Sequence, residues 1–388
     1  PKGGSDSDDT IIIEEEDLAL LKSAAKVYID SFRGDLYEQL RRPDYASPLA
    51  SPTKHSYEAS TKRTQSNSVS LDTEDLYLFN GHGGVSKDKQ EYVIIMDPKS
   101  KTPVPPLPWC NVISNKQGFG TIISERGSSH TWNLNAQFNR LTPWYNDPLT
   151  DPTGEAIYIR DDENGSIWSP LPTPMPDKEK YVARHGYGYA RFEHISDGLS
   201  QSSLIFVHPD EAIKITSIKI KNLTSEERSI SLMSYYDLVL GGERSTTAQH
   251  IHTDRMENHS IIYAKNAYNE NYANMITYVG CNKTFKSFTC DRRSFLGRFG
   301  DLKHPSGVNL ERLNDRHGVA YDPCMAFHTS HLIPPQNETE IIIVIGQTDS
   351  ENKVIDLVQK YTKTKTAEHS FIEVQKNWEH YLDKIQIN

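Results

Sequence analysis

Between Leu76 and Gly346 one short β-type segment follows another, with no helix of useful length between them. EYVIIM, GTIISE, EAIYIR, SLIFVH, AIKITSIKIKN, RSISLMSYYDLVL, SIIYAKN, MITYVG and EIIIVIG are rich in Ile, Val, Tyr and Thr. Branched and aromatic side chains of that kind fit a pleated surface. A βαβ fold needs helices between its strands, so this succession predicts a large antiparallel sandwich instead. The joints read as hairpin-like. Asn164-Gly165 after EAIYIR, and Thr224 to Glu227 between the IKIKN and RSISLMSYY runs, supply the chain reversals.

A chain of 388 residues accommodates one large β domain with helical additions. Leu18, Leu21, Ala25, Tyr28, Phe32, Leu36 and Leu40 recur at helical spacing behind the acidic run Glu14 to Asp17, and Pro43 ends the pattern. Residues 1–43 therefore read as a polar tail and a helix. Residues 44–75, rich in Ser, Thr and Pro, read as a linker, and 76–346 as the β domain. Residues 347–388 return to helical spacing and place Phe371, Val374, Trp378, Tyr381 or Leu382, and Ile385 on one face. An aromatic stripe so near the last residue predicts that its packing partner, or the continuation of the chain, lies outside this sequence.

A formal net charge of −10 opposes binding to a nucleic-acid backbone. No run reaches the roughly eighteen apolar residues of a membrane span, and PKGGSDSDDT lacks the parts of a signal peptide, so a cytoplasmic location is expected. Cys110, Cys281, Cys290 and Cys324 show no C-x-x-C spacing and read as buried, reduced thiols. His250 with His252 and His328 with His331 lack a companion carboxylate or cysteine pattern, so no metal is expected. Nucleotide and serine-hydrolase fingerprints are missing, and Asn80 to Gly84, NGHGG, reads as a turn before a strand.

Two stretches carry chemical potential. Ser128 to Glu155 holds Trp132, Arg140, Trp144, Asp147, Asp151 and Glu155, and Pro143, Pro148 and Pro152 keep it from being helical, so a long shaped loop is expected. Rings beside carboxylates and an arginine suit a sugar, whose CH face stacks while its hydroxyls take directional hydrogen bonds. Equally, the tryptophans could anchor the core and the charges pair with one another. Arg184 to His194, RHGYGYARFEH, could line a polar cleft with Arg184, His185, Arg191 and Glu193, or form a strand whose charges pair across a sheet.

Taken together, FNGHGGVSKDKQEYVI, PLPWCNVISN, FGTIISERGSSHTW, NRLTPWYNDPLTDPTGEAIYIRD, WSPLPTPMP, RHGYGYARFEH, LVLGGERS and DRRSFLGRFGDL resemble the N-terminal β-sandwich part of glycoside-hydrolase family 94. The resembling branch contains 1,2-β-oligoglucan phosphorylases and the C-terminal region of cyclic β-1,2-glucan synthases. It runs from about Phe79 to Gly346 and resumes from Trp378 to Ile385. The resemblance implies a mainly β, galactose-mutarotase-like supersandwich, then linker helices, then an (α/α)6 barrel carrying the general acid and the phosphate-binding residues beyond Asn388. It implies inverting phosphorolysis, with inorganic phosphate as co-substrate and no other cofactor, and as partners a β-glucan oligosaccharide and the barrel. Homodimerisation stays open.

On this reading no catalytic residue lies in the chain. The cleft candidates are Trp132, Arg140, Trp144, Asp147, Glu155, Arg184 and His185. His130, His82 and Leu238 depart from the family pattern, standing where tyrosine, an aromatic residue and tryptophan are expected. The helix and linker before Leu76 would join the sandwich to a preceding domain, as in a cyclic glucan synthase, for which the expected location is the cytoplasmic face of the inner membrane. Two other readings remain: a stand-alone carbohydrate-binding module with Trp132, Trp144 and Trp168 as a stacking platform, and a mutarotase-type enzyme using His185 with Glu155 or Glu193.

Overall fold

Ile341, Ile343 and Ile345 enter one hydrophobic core from the strand Glu338–Thr348, while Ile342 and Val344 enter another from its opposite face. A strand with no wet face belongs in a sheet covered on both sides, and that is how the molecule is layered. The computed structural model describes residues 76–319 and 321–384, together with Asp17, Leu18, Leu20 and Leu21, which are helical. The rest of the expected N-terminal helix, the 44–75 linker and Ile385 lie outside the described residues.

The larger sheet has ten antiparallel strands. In spatial order they are Gly83–Val85, Glu91–Met96, Tyr181–Gly186, Tyr189–Ser196, Leu199–Val207, Ile213–Asn222, Glu338–Thr348, Ile276–Cys281, Ile261–Lys265 and His252–Arg255. A second sheet orders Ser287–Asp291, Pro323–Ile333, Arg228–Asp237, Glu155–Asp161 and Ile167–Trp168. The main core lies between them, with Ile218, Ile220, Ile343 and Ile345 facing Ile159, Ile230, Leu232 and Phe327. A third, small sheet comprises Cys110–Ser114, Gly120–Ser124 and Ser129–Trp132. The expected double-layered β fold is therefore what forms.

The helix Glu351–Tyr361 and the helix Thr364–Leu382 cover the outer face of the ten-stranded sheet. Val354, Val358 and Val374 are buried there against Ile213, Ile215 and Val344. This corrects the expectation of an absent packing partner: Phe371 meets the rings of Tyr189 and Phe206 edge-on and tilted, with centroids 5.0 and 5.5 Å away. Trp378 packs against the same core, and only Tyr381 and Leu382 of the described stripe remain exposed. The stripe found its partner in the sheet because Gly188 leaves a gap that the indole fills.

One predicted reversal is a hairpin and one is not. Asn164-Gly165 joins the paired strands Glu155–Asp161 and Ile167–Trp168, with Gly165 at φ 77°. Thr224 to Glu227 instead carries the chain from one sheet to the other, since Ile213–Asn222 and Arg228–Asp237 pair with different neighbours. Buried polar groups fix that corner. Asn222 Nδ2 donates to the carbonyls of Glu226 (2.7 Å) and Ile333 (2.9 Å), and Arg228 ion-pairs with Asp161. The cysteine reading also needs correcting: all four thiols are free, but Cys110 is exposed.

Candidate functional site

Ser128 to Glu155 is not wholly loop, because Ser129–Trp132 pairs with Gly120–Ser124 before the prolines take over. After Trp132 the chain turns through a knot in which Asn133 and Asn139 both donate to Gln347 Oε1, at 2.9 and 2.8 Å. The loop is thereby tied to the long strand Glu338–Thr348.

It then meets two other loops at Leu240 to Gly242. Arg140 N donates to the Gly241 carbonyl (3.0 Å), and Asn266 and Asn269 donate through Nδ2 to the Leu240 carbonyl (2.9 and 3.2 Å). Arg140 is a clamp, with its guanidinium on the carbonyls of Ala136 (3.0 Å) and Gly242 (3.2 Å). Leu238, buried just past the strand Arg228–Asp237 on the way to this junction, belongs to the core.

An aromatic row lies along the same loop. His130 stacks on Trp144 at a centroid distance of 5.4 Å and is tilted against Trp132 at 5.4 Å. Trp132 in turn sits on Gly120, where a Cβ would fall 2.4 Å from the indole. Burial pushes the His130 imidazole down to about 3, so the ring between the two indoles is neutral. Trp144 at 46% and Tyr145 at 41% exposure present rings to solvent. Of the two expected platform tryptophans in this row, Trp144 is the open one.

Beside Tyr145 stands a box of two carboxylates and two guanidiniums that sequence reasoning missed. Arg244 Nε donates to Asp237 Oδ1 (2.8 Å) and its Nη2 contacts Asp322. Arg292 lies 3.6 Å from Asp237 and 3.4 Å from Asp322. Burial raises the Asp237 carboxyl despite both arginines, and burial, with Asp237 adding to it, raises the Tyr145 phenol. Arg244 and Arg292 sit inside LVLGGERS and DRRSFLGRFGDL, so the signal was present as motif, but nothing in spacing says that those motifs meet.

The other candidates scatter. Glu155 is buried inside the sandwich against Lys214, accepting also from Thr131 Oγ1 (2.6 Å), Thr142 Oγ1 (2.9 Å) and Ser129 Oγ (3.2 Å). Burial opposes its ionisation, yet the Lys214 charge and the hydroxyls outweigh it and hold the carboxyl below its ordinary value. Asp147 is exposed and caps its own turn through Leu149 N (2.9 Å) and Thr150 Oγ1 (2.5 Å). Arg184 pairs with Glu193 (2.8 Å) and Glu91 (3.2 Å), which is the cross-sheet pairing rather than a cleft lining.

His185 Nε2 bonds the Trp109 carbonyl at 3.0 Å, and burial lowers it to about 4. With Glu155 on Lys214 and Glu193 on Arg184, the His–carboxylate pairing of a mutarotase-type site does not form. Trp168 is buried in the core, donating to Gln201 Oε1 at 2.9 Å, and cannot serve as a platform. His328 and His331 bond the hydroxyls of Ser231 (2.7 Å) and Thr329 (2.9 Å). Among the described residues no three His, Cys, Asp or Glu side chains gather as metal ligands, and no helix is long and apolar enough to cross a membrane.

Comparison with known proteins matches residues 90–364 to the family described as Glycosyl hydrolase 94, supersandwich domain. Cyclic beta-(1,2)-glucan synthase NdvB of Rhizobium meliloti (strain 1021) is 30% identical over 356 residues, 88% of this chain and 12% of that protein. N,N'-diacetylchitobiose phosphorylase of Vibrio furnissii is 25% identical over 321 residues, 79% of this chain and 38% of that protein. Solabiose phosphorylase of Paenibacillus borealis is 23% identical over 219 residues, 55% of this chain and 28% of that protein. The chain spans well under half the length of each of these relatives.

Proposed function

Because the chain belongs to the glycosyl hydrolase 94 supersandwich-domain family, we propose that it is the non-catalytic sandwich of a β-1,2-glucan-active phosphorylase or cyclic β-1,2-glucan synthase. Its role is to support an (α/α)6 barrel and to lend that barrel's sugar cleft a rim. The barrel supplies the carboxylic acid that protonates the leaving oxygen, and inorganic phosphate attacks the anomeric carbon in place of water. No other cofactor is needed. We place the domain on the cytoplasmic side.

The observation that carries this reading is the junction at Leu240 to Gly242. There Arg140 clamps the loop that holds Trp144 and Tyr145 open to solvent, on the side where the Asp237, Arg244, Arg292 and Asp322 box stands. A fixed backbone with exposed rings suits a stacking surface for a sugar face. Glu155, the one buried carboxylate of the predicted loop, is ion-paired with Lys214, which supports assigning the acid chemistry to another domain.

The test is release of glucose 1-phosphate from β-1,2-glucan and phosphate. The 388-residue chain alone should release none, and the chain joined to an (α/α)6 barrel of the same family should release it. Turnover by the chain alone, or no turnover by the joined protein across a panel of β-glucans, would refute the proposal.

A further inference from the structure

Behind the rim the sandwich contains a cleft of about 670 Å³. Its floor includes Met96, Tyr181 and Leu296, all buried. One wall is the Pro172 to Pro176 ribbon, another is Pro98 with Pro103 and Val104, and a third is Gly300 to Lys303. Asp237 and Arg292 of the charged box close one end together with Tyr145. Prolines fix φ, so the first two walls are pre-shaped and lose little freedom when a ligand enters.

The charged groups of the lining, Asp151, Asp177, Asp237 and Asp301 against Arg126, Arg292 and Lys303, are dispersed and nearly balance. Asp151 accepts from Ser124 Oγ (2.6 Å), Asp237 is held by Arg244 and Arg292, and Arg126 lies 3.2 Å from Glu125. Asp301 Oδ1 caps its own turn, accepting from the amides of Lys303 and His304, both at 2.9 Å. An anion or a cation would find no concentrated opposite charge. A ligand with apolar faces and many neutral hydroxyls fits both halves of the lining, and the volume lies within the usual range of roughly 300–1,000 Å³ for small-molecule sites.

We propose that this cleft is a glycan-binding subsite built by the sandwich alone, taking a short neutral oligosaccharide. It rests on the family reading only for the choice of β-1,2-gluco-oligosaccharides as the probe. The test titrates the 388-residue protein with those oligosaccharides and with a uronic-acid oligosaccharide, and follows amide hydrogen exchange. Binding should slow exchange at Gly300 to Lys303 and around Val104, and Val104→Trp, which fills the cleft from a solvent-exposed position, should weaken it at least tenfold.

Trp144→Ala should leave that protection in place. Leu302→Trp, on the facing wall, serves as a second filling variant should Val104→Trp lower the melting temperature. Protection confined to residues 133–144 would overturn the subsite while leaving the rim reading intact. Absence of binding at millimolar oligosaccharide, or tighter binding of the uronic-acid probe, would also overturn it. Failure of the barrel-joined protein to make glucose 1-phosphate, with cleft protection retained, would instead remove the phosphorylase reading and keep the subsite.

Discussion

Gly188 makes the seat of Trp378: a Cβ on Gly188 would stand 2.1 Å from the indole Nε1 and 2.8 Å from Val374 Cγ1. Gly188 also has φ +81°, a conformation that side chains resist. The tight turn between Tyr181–Gly186 and Tyr189–Ser196 thus doubles as the docking point of the last helix. Gly188→Ala should cost about 2–4 kcal/mol, the sum of left-handed strain and overpacking. Trp378→Ala should cost less in the Gly188→Ala background than alone, because the clash is then absent. Urea denaturation of the four proteins of this cycle measures it, and strict additivity would contradict the contact.

Lys214 and Glu155 form an ion pair in which both side chains are buried between the small sheet and the two large ones. Removing one partner strands the other charge. Lys214→Met should therefore cost about 3–5 kcal/mol, and Lys214→Met with Glu155→Leu should recover much of the loss. Glu155 is held below its ordinary value of 4.5, so its contribution is complete above that pH and declines as acid approaches the lower folded-state value. Glu155→Gln should flatten the acid limb of a stability curve below about pH 4.5. An unchanged acid limb would show that the pair is not ionised in the native protein.

These two contacts mark what a sequence reader can and cannot see. The EIIIVIG run declared a strand, and the spacing of Val354, Val358, Phe371 and Val374 declared helices, because regular structure imprints itself on residue type and spacing. What filled the gap over Gly188 was not visible, since a glycine records only that something comes close. The Thr224 to Glu227 turn looked like a hairpin because turn chemistry is local, whereas the choice between pairing and crossing is made by Asn222 and Arg228 through partners as distant as Ile333 and Asp161.

The charged box was hidden for the same reason. Asp237 and Asp322 come together because the strands Arg228–Asp237 and Pro323–Ile333 are neighbours with Asp237 opposite Cys324. The 128–155 segment was half legible: its prolines and rings marked a shaped surface, but not that Arg140 would bond carbonyls or that Glu155 would be swallowed by the core.

His130 gives a pH-dependence of known sign. Its imidazole is held near 3 by burial, well below its ordinary 6.5, so the folded protein refuses a proton that the unfolded chain accepts. Stability is therefore lost as pH falls from 6.5 towards about 3. His130→Phe keeps a ring between Trp132 and Trp144 and removes the titration. Its stability should fall less steeply between about pH 6.5 and about pH 4 than that of the parent. The slope should shrink without vanishing, because His328, pushed down to about 2, acts in the same direction. Parallel curves for the two proteins would count against a buried, neutral His130.

Trp144 and Trp168 differ in what their removal should cost the fold. Trp168 is 3% exposed and hydrogen-bonded to Gln201, so Trp168→Ala opens a core cavity and should cost about 3–5 kcal/mol. Trp144 is 46% exposed with His130 beneath it, so Trp144→Ala should change stability by no more than about 1 kcal/mol. If the rim stacks against glucan in the barrel-joined protein, the same change removes a ring contact of about 1 kcal/mol and lowers kcat/KM for phosphorolysis about fivefold. Phosphorolysis rates measured beside thermal melts distinguish the outcomes. Undiminished kcat/KM in a stably folded Trp144→Ala protein would mean that the open ring does not touch the substrate, and the rim would then have to be sought among the residues around Arg292 instead.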